Sequence, residues 1–224
     1  MFLKSFFLLL ICYFSIPLSW AEEFTVVIKG AAPAYVNSEI TVSTVDDYIT
    51  DRETVVARST VGTDSLFQLQ FTIDKTQRVV LRSENNRAWM YVQANGEYAV
   101  YLPDRDPYLP PVKSGNLVEL TFFNLEPSDI NYKILAFQRW NDDSMSLFYR
   151  LKDKEPKVFA AKLDTFKTYV EKAYAEEEDI FFLTYVRFSI AELDEIQFAG
   201  SRNRYEKFDF YIAPSPVFYN NDAY

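Results

Sequence analysis

Phe67-Gln68-Leu69-Gln70-Phe71-Thr72-Ile73 places four apolar residues at every second position, with three polar residues between them. Side chains of an extended chain alternate between two faces, so this period of two describes a strand with one face in a core and one in water. The pattern recurs on both sides. Phe24, Val26 and Ile28 alternate with Thr25, Val27 and Lys29; Ile40, Val42 and Thr44 follow, then Val55, Ala57, Ser59 and Val61. Val79-Val80-Leu81, Trp89-Met90-Tyr91-Val92 and Tyr98-Ala99-Val100-Tyr101-Leu102 complete a series of about seven short strands. Lys29-Gly30 with Pro33, Gly62-Thr63-Asp64, Asn85-Asn86 and Asn95-Gly96 separate the runs as turns. Asn95-Gly96 predicts a two-residue hairpin, because a type I′ turn needs positive φ at both central residues. Residues 22–125 therefore read as one antiparallel β-sandwich or open barrel.

Beyond it the period changes. Pro103, Pro107, Pro110 and Pro111 lack the amide donor a sheet needs, which marks a boundary or an extended linker. Val118, Leu120 and Phe122 can form one more strand, pairing back onto the first module. Pro127-Ser128-Asp129 opens a helix, with Ser128 placed to cap it and Asp129 suited to its positive end. Ile130, Ile134, Phe137, Leu147 and Leu151 form its stripe, but Asn141-Asp142-Asp143-Ser144 interrupts it, predicting a weak middle or two short helices. From Lys157 to Tyr174, Phe159, Leu163, Phe166, Val170 and Ala173 fall on a single face after Pro156. Glu176-Glu177-Glu178-Asp179 introduces a third helix with two apolar stripes, Phe182, Val186, Ser189, Leu193 and Ile196, and Phe181, Tyr185 and Phe188; Gly200 is placed to end it. The fold class is α+β, with a helical region over 126–224. Its abrupt stop at Tyr224, after the irregular Pro214-Ser215-Pro216, suggests a chain cut short at its C-terminus.

Lys4, an apolar run from Phe6 to Phe14 and small residues in Ser19-Trp20-Ala21 describe a cleavable secretory signal over residues 1–21. Pro17 breaks the run short of the roughly 20 apolar residues of a membrane span, so the mature chain is expected to have no transmembrane span. An uncleaved anchor is the alternative. Cys12, the only cysteine, follows bulky Leu10-Ile11 where a lipoprotein acceptor usually follows small residues; lipidation at Cys12 stays open as an alternative. The mature chain then has no cysteine, although an export route permits disulfides, and its core must hold it together. The net charge is −9, one unit more negative without Lys4, so nucleic acid and anionic lipid are poor partners. Sixteen Tyr, 20 Phe and three Trp against five Gly make an aromatic chain with few flexible turns.

With no histidine, Ser-His-Asp and Cys-His catalysis and nearly all zinc chemistry are closed to it. Without a mature cysteine, thiol nucleophiles, iron–sulfur ligation and dithiol redox chemistry are closed too. Neither GxGxxG, a P-loop, GxSxG nor an EF-hand loop occurs, and no cofactor is expected. Carboxylate chemistry survives. Asp104 with Asp106, Asp142 with Asp143, or the run Glu176–Asp179 can be nominated for a glycosidase pair, and that run for calcium. Each has a structural reading as well: a linker, a helix break and a solvated helix start. Trp89 with Tyr91, or Trp140 with Tyr149, can form a platform for a sugar or peptide, although large aromatics in such a chain mostly build core. Arg202, Arg204 and Lys207 form a small cationic patch that reads as a solvated face.

Phe24-Thr25-Val26-Val27-Ile28-Lys29-Gly30 and Val61-Gly62-Thr63-Asp64-Ser65-Leu66-Phe67-Gln68-Leu69 resemble an N-terminal β-domain found ahead of thioredoxin-like domains in exported envelope proteins of Gram-negative bacteria. Phe166–Val170, Phe181–Leu193 and Pro216–Tyr224 resemble segments between that domain and the redox domain of some relatives. Those relatives end in a Cys-x-x-Cys pair that this chain lacks, so the resemblance implies a periplasmic or envelope location and an architecture, and carries over no catalytic residue. The expected function is a non-catalytic accessory or binding module whose partner is a protein or a missing C-terminal domain. The alternatives are a truncated thiol-disulfide oxidoreductase lacking its redox domain and a carbohydrate-binding, or carbohydrate-cleaving, envelope protein.

Overall fold

The computed structural model describes residues 23–47, 50, 52–106, 108, 110, 112, 115–197, 204–213 and 220–223. The expected signal with Cys12, and Gly200, Arg202 and Pro214-Ser215-Pro216, lie outside these residues. The described strands are β1 (Phe24–Ala31), β2 (Glu39–Asp47), β3 (Arg52–Thr60), β4 (Leu66–Ile73), β5 (Gln77–Ser83), β6 (Asn86–Val92), β7 (Glu97–Tyr101), β8 (Asn116–Leu117) and β9 (Thr121–Phe122). Helices α1 (Ile130–Leu151), α2 (Pro156–Ala173) and α3 (Ile180–Gln197) follow, then a single turn α4 (Arg204–Lys207) and π-helical Phe208–Ile212.

Two sheets face each other, in strand order β4-β1-β7-β9 and β3-β2-β5-β6-β8; they do not close into a barrel among the described residues. The quoted strand β4 behaves as its alternation requires. Phe67, Leu69, Phe71 and Ile73 are buried and Leu66, Gln68, Gln70 and Thr72 are exposed. They meet Val26 and Ile28 of β1, Val42 of β2, Leu81 of β5 and Met90 of β6 in one core between the sheets. Burying each such side chain stabilises the fold by about 1.5–3 kcal/mol. Gly30 is the close approach in β1: a Cβ there would lie 2.7 Å from the Val100 carbonyl oxygen and against the Phe67 ring.

The pairing is not wholly antiparallel. β1 runs parallel to β7, and β6 parallel to β8. This overturns the predicted hairpin at Asn95-Gly96, because β6 and β7 lie in different sheets. Asn95 has positive φ (57°), but Gly96 does not join it, and the turn carries the chain across the sandwich. The tight hairpin is instead at Glu84-Asn85, between Ser83 and its partner Asn86. The expected strand around Val118 is split. Asn116-Leu117 pairs with β6, Thr121-Phe122 with β7, and Val118 and Leu120 cross between the sheets with their side chains in the core.

The first helix is continuous through Asn141-Asp142-Asp143-Ser144. Phe137 and Phe148 anchor it on either side of that stretch, while Asp142 and Asp143 face water, where poor helix formers cost only a few tenths of a kcal/mol (~0.5) each. Asp129, not Ser128, caps it, accepting from the Asn131 amide at 2.7 Å. In α2, Phe159, Leu163, Phe166 and Val170 are buried as the periodicity predicts; Ala173 is exposed. Phe181, Phe182, Tyr185, Val186, Phe188 and Leu193 are all buried, so α3 is covered on both of its stripes. A second core gathers these helices, and one residue of the sandwich, Tyr91, belongs to it. Among the described residues no helix is long and apolar enough to cross a membrane.

Candidate functional site

The site begins with the alternation of β6. Ala88, Met90 and Val92 point into the sandwich, which leaves Arg87, Trp89 and Tyr91 on the outer face of the second sheet. Tyr91 is buried there against the helices, its ring edge-on to Phe181 (5.8 Å) and Tyr185 (6.1 Å). Its hydroxyl donates to Asp222, at 2.8 and 2.9 Å from the two carboxylate oxygens. Arg78 on neighbouring β5 donates to the same carboxylate at 2.7 Å. Burial, reinforced by the Asp222 charge, pushes the Tyr91 hydroxyl well above its ordinary range.

One step along the same face, Trp89 is 42% exposed. The guanidinium of Arg78 lies 4.7 Å from its ring centre and that of Arg87 at 6.0 Å. Its free side opens into a cleft of about 370 Å³ between the β6–β8 edge and α1. Trp89, Leu117 and Leu120 wall it from the sandwich, Ile134 and Leu135 from the helix, and Gln138, Glu119 and Asp222 supply polar groups at its margin. Gln138 is fixed by donating to the Tyr185 hydroxyl at 2.6 Å. Asn131 at the base takes both main-chain groups of Tyr91, accepting from its N–H and donating to its carbonyl, each at 2.8 Å. A mainly apolar concavity with a few fixed polar groups is suited to holding a ligand, and its volume lies in the usual range for one. A depression of about 530 Å³ around Gly30 on the outer face of the first sheet is wider open to solvent and lacks such walls.

Of the aromatic pairs nominated from sequence, Trp89 and Tyr91 line this one cleft. Trp140 and Tyr149 do not meet. Nine residues apart on one helix, at roughly 100° per residue, they point to opposite sides. Trp140 packs at 5.1 Å on Phe166, and Tyr149 is half exposed under Lys152. The carboxylates hold structural posts. Asp104 and Asp106 accept from loop amides of Arg105 and Tyr108. Glu177 takes Lys133 at 2.8 Å, and Asp179 caps α3 through the Phe182 amide. Asp142 and Asp143 sit on the solvent face of α1. Among the described residues no group of three metal-ligating side chains assembles. Arg204 and Lys207 begin and end α4.

Sequence reading missed Arg78, Arg87, Asn131, Leu135 and Asp222. The alternation Arg87-Ala88-Trp89-Met90-Tyr91 does place arginine and aromatics on one face; nothing local announces that α1 and Asp222 will cover half of it. No protein-family model matches the chain, and no curated protein matches it.

Proposed function

We propose that this chain is a non-catalytic, exported binding module of the cell envelope, and that the cleft beside Trp89 holds its partner. The observation that carries the reading is the cleft itself, walled by the sandwich on one side and α1 on the other. Its walls are preformed: Asn131 ties α1 to β6, and Asp222 ties the C-terminal segment to β5 and β6. Export rests on Lys4, the apolar run from Phe6 and the Ser19-Trp20-Ala21 cleavage pattern. The envelope setting rests on the likeness of residues 24–30 and 61–69 to the β-domain of thioredoxin-like envelope proteins. Non-catalytic action is supported by the absence of histidine and by carboxylates spent on helix caps, loop turns and ion pairs. The expected partner is a protein.

Amide and indole NMR spectra of the labelled chain, titrated with small aromatic and aliphatic fragments, test this. The Trp89 indole and the amides of Leu117, Leu135 and Gln138 should move together. Shifts confined to the depression around Gly30, or no shifts at all, would sink the reading.

A further inference from the structure

The main chain of β6 shows what kind of molecule the cleft fits. The carbonyl of Arg87 accepts from the Val118 amide at 2.9 Å, on the β8 side of the strand. Both main-chain groups of Tyr91 leave β6 on that side too, and the Asn131 side chain occupies them like a residue of an added strand. Main-chain groups of a strand alternate in direction with a period of two, so Trp89, midway between, directs its N–H and C=O the same way. That direction is the cleft Trp89 lines. β8 ends at Leu117, and among the described residues no hydrogen bond reaches Trp89 from that side. The sheet edge thus has a notch between Arg87 and Tyr91 about 13 Å long, room for about three extended residues.

Charge narrows the occupant. Arg78 is matched by Asp222 and Arg82 by Glu53, but Arg87 pairs with no carboxylate among the described residues of a chain whose net charge is −9. Side chains on one face of a strand repeat about every 7 Å, so an acidic side chain two residues from the one opposite Trp89 comes within reach of the Arg87 guanidinium. Glu119 on the cleft margin disfavours a second acid.

We infer that the cleft binds a short extended peptide that adds to β6 at Trp89. One apolar side chain enters between Leu120 and Ile134, and one acidic side chain pairs with Arg87. The inference rests on the cleft being the binding site, and the test separates the two. In the free protein the Trp89 amide should exchange with deuterium about 100-fold faster than the Tyr91 amide, which Asn131 holds. Equal protection would mean a closed edge and overturn the inference, leaving the cleft open to small apolar molecules. A random heptapeptide library displayed on phage is then selected on the immobilised full chain. Enrichment should favour one Asp or Glu two residues from an apolar residue. Binding of the selected peptides should weaken about tenfold with Arg87→Gln and with N-methylation of the central peptide amide. It should be lost with Leu135→Glu, a change at a partly exposed helix position that plugs the cleft. Peptides sensitive to Leu135→Glu but indifferent to the other two changes would overturn strand addition and keep the cleft as a binding site. No enrichment would overturn the peptide inference.

Discussion

Asp222 holds two groups from adjacent strands, the Tyr91 hydroxyl and the Arg78 guanidinium, in a setting where its own side chain is 16% exposed and that of Arg78 12%. A carboxylate placed there completes a charge pair and satisfies a hydroxyl already stripped of water. Tyr91→Phe should therefore cost about 1.5 kcal/mol and Asp222→Asn about 3 kcal/mol, the larger loss coming from the charge left on Arg78. Both act through one carboxylate, so the double variant should cost less than the sum by roughly 1 kcal/mol in denaturant titrations. The pH dependence has a definite sign. Burial and the Asp222 charge raise the folded-state pKa of Tyr91 above its ordinary 10.0, so the folded chain holds this proton more tightly than the unfolded one. That contribution is complete below pH 10 and is lost as pH rises above it. Tyr91→Phe should accordingly flatten the alkaline limb of the stability curve. The limb will not vanish, because Tyr185 and Tyr98 are raised in the same direction by burial.

Two elements owe their placement to polar side chains that act at a distance. The first turn of α1 is pinned to the sheet by Asn131, and the start of α3 is pinned to α1 by Glu177, which accepts from Lys133 and from the amides of Glu178 and Asp179. Asn131→Ala should cost about 2 kcal/mol and open the Tyr91 amide to exchange, because it strips both main-chain groups of that residue at once. For Glu177, burial raises the carboxyl pKa, but Lys133 and the two amides outweigh it, and the net direction is down from 4.5. The contribution is then present above pH 4.5 and lost as pH falls through the lower folded value. Glu177→Gln should cost about 1–2 kcal/mol at pH 7, and the gap to the parent chain should narrow below pH 4.5; a gap that stays constant would mean the ion pair contributes nothing. These posts explain what the sequence could and could not disclose. Strands such as Phe67–Ile73 and the stripe Phe159–Val170 are legible because period and burial act within one element. The second sheet's parallel neighbour, the crossing at Val118–Leu120 and the role of Asn131 depend on residues tens of positions away. An asparagine two positions after a helix cap looks like any other until Tyr91 is set beside it.

At the scale of the whole molecule there are two cores, one between the sheets and one among the helices, and Tyr91 of β6 is the sandwich's contribution to the second. The junction between them is more than contact of apolar faces. Asn131 bonds Tyr91, Gln93 accepts from the Ile130 amide at 3.1 Å, Asp222 joins β5 and β6, Asn220 donates to the Thr76 carbonyl, and Asn221 donates to the Phe181 carbonyl. Separating the layers would leave those donors and acceptors to be rehydrated, and would expose the Tyr91 ring together with its Phe181 and Tyr185 partners. Each such bond is worth only about 1 kcal/mol, but they break together, and the combined cost of parting the layers rivals the stability of a small domain. The two cores should therefore unfold as one unit. Phe137 tests this from the helical side, since it is fully buried and meets Tyr174, Phe182 and Tyr185 edge-on. Leu81 tests it from the sandwich side, where it is equally buried. Phe137→Ala should cost about 3–5 kcal/mol and Leu81→Ala about 2–5 kcal/mol. In a Trp89→Phe background, Trp140 fluorescence follows the helices, and amide exchange in β1 follows the sandwich. With a coupled junction, either substitution lowers the denaturation midpoint seen by both probes by the same amount. If Phe137→Ala shifts only the Trp140 transition and leaves β1 protected, the layers are independent. The cleft between them would then be a hinge that opens and closes, not a preformed wall for an added strand.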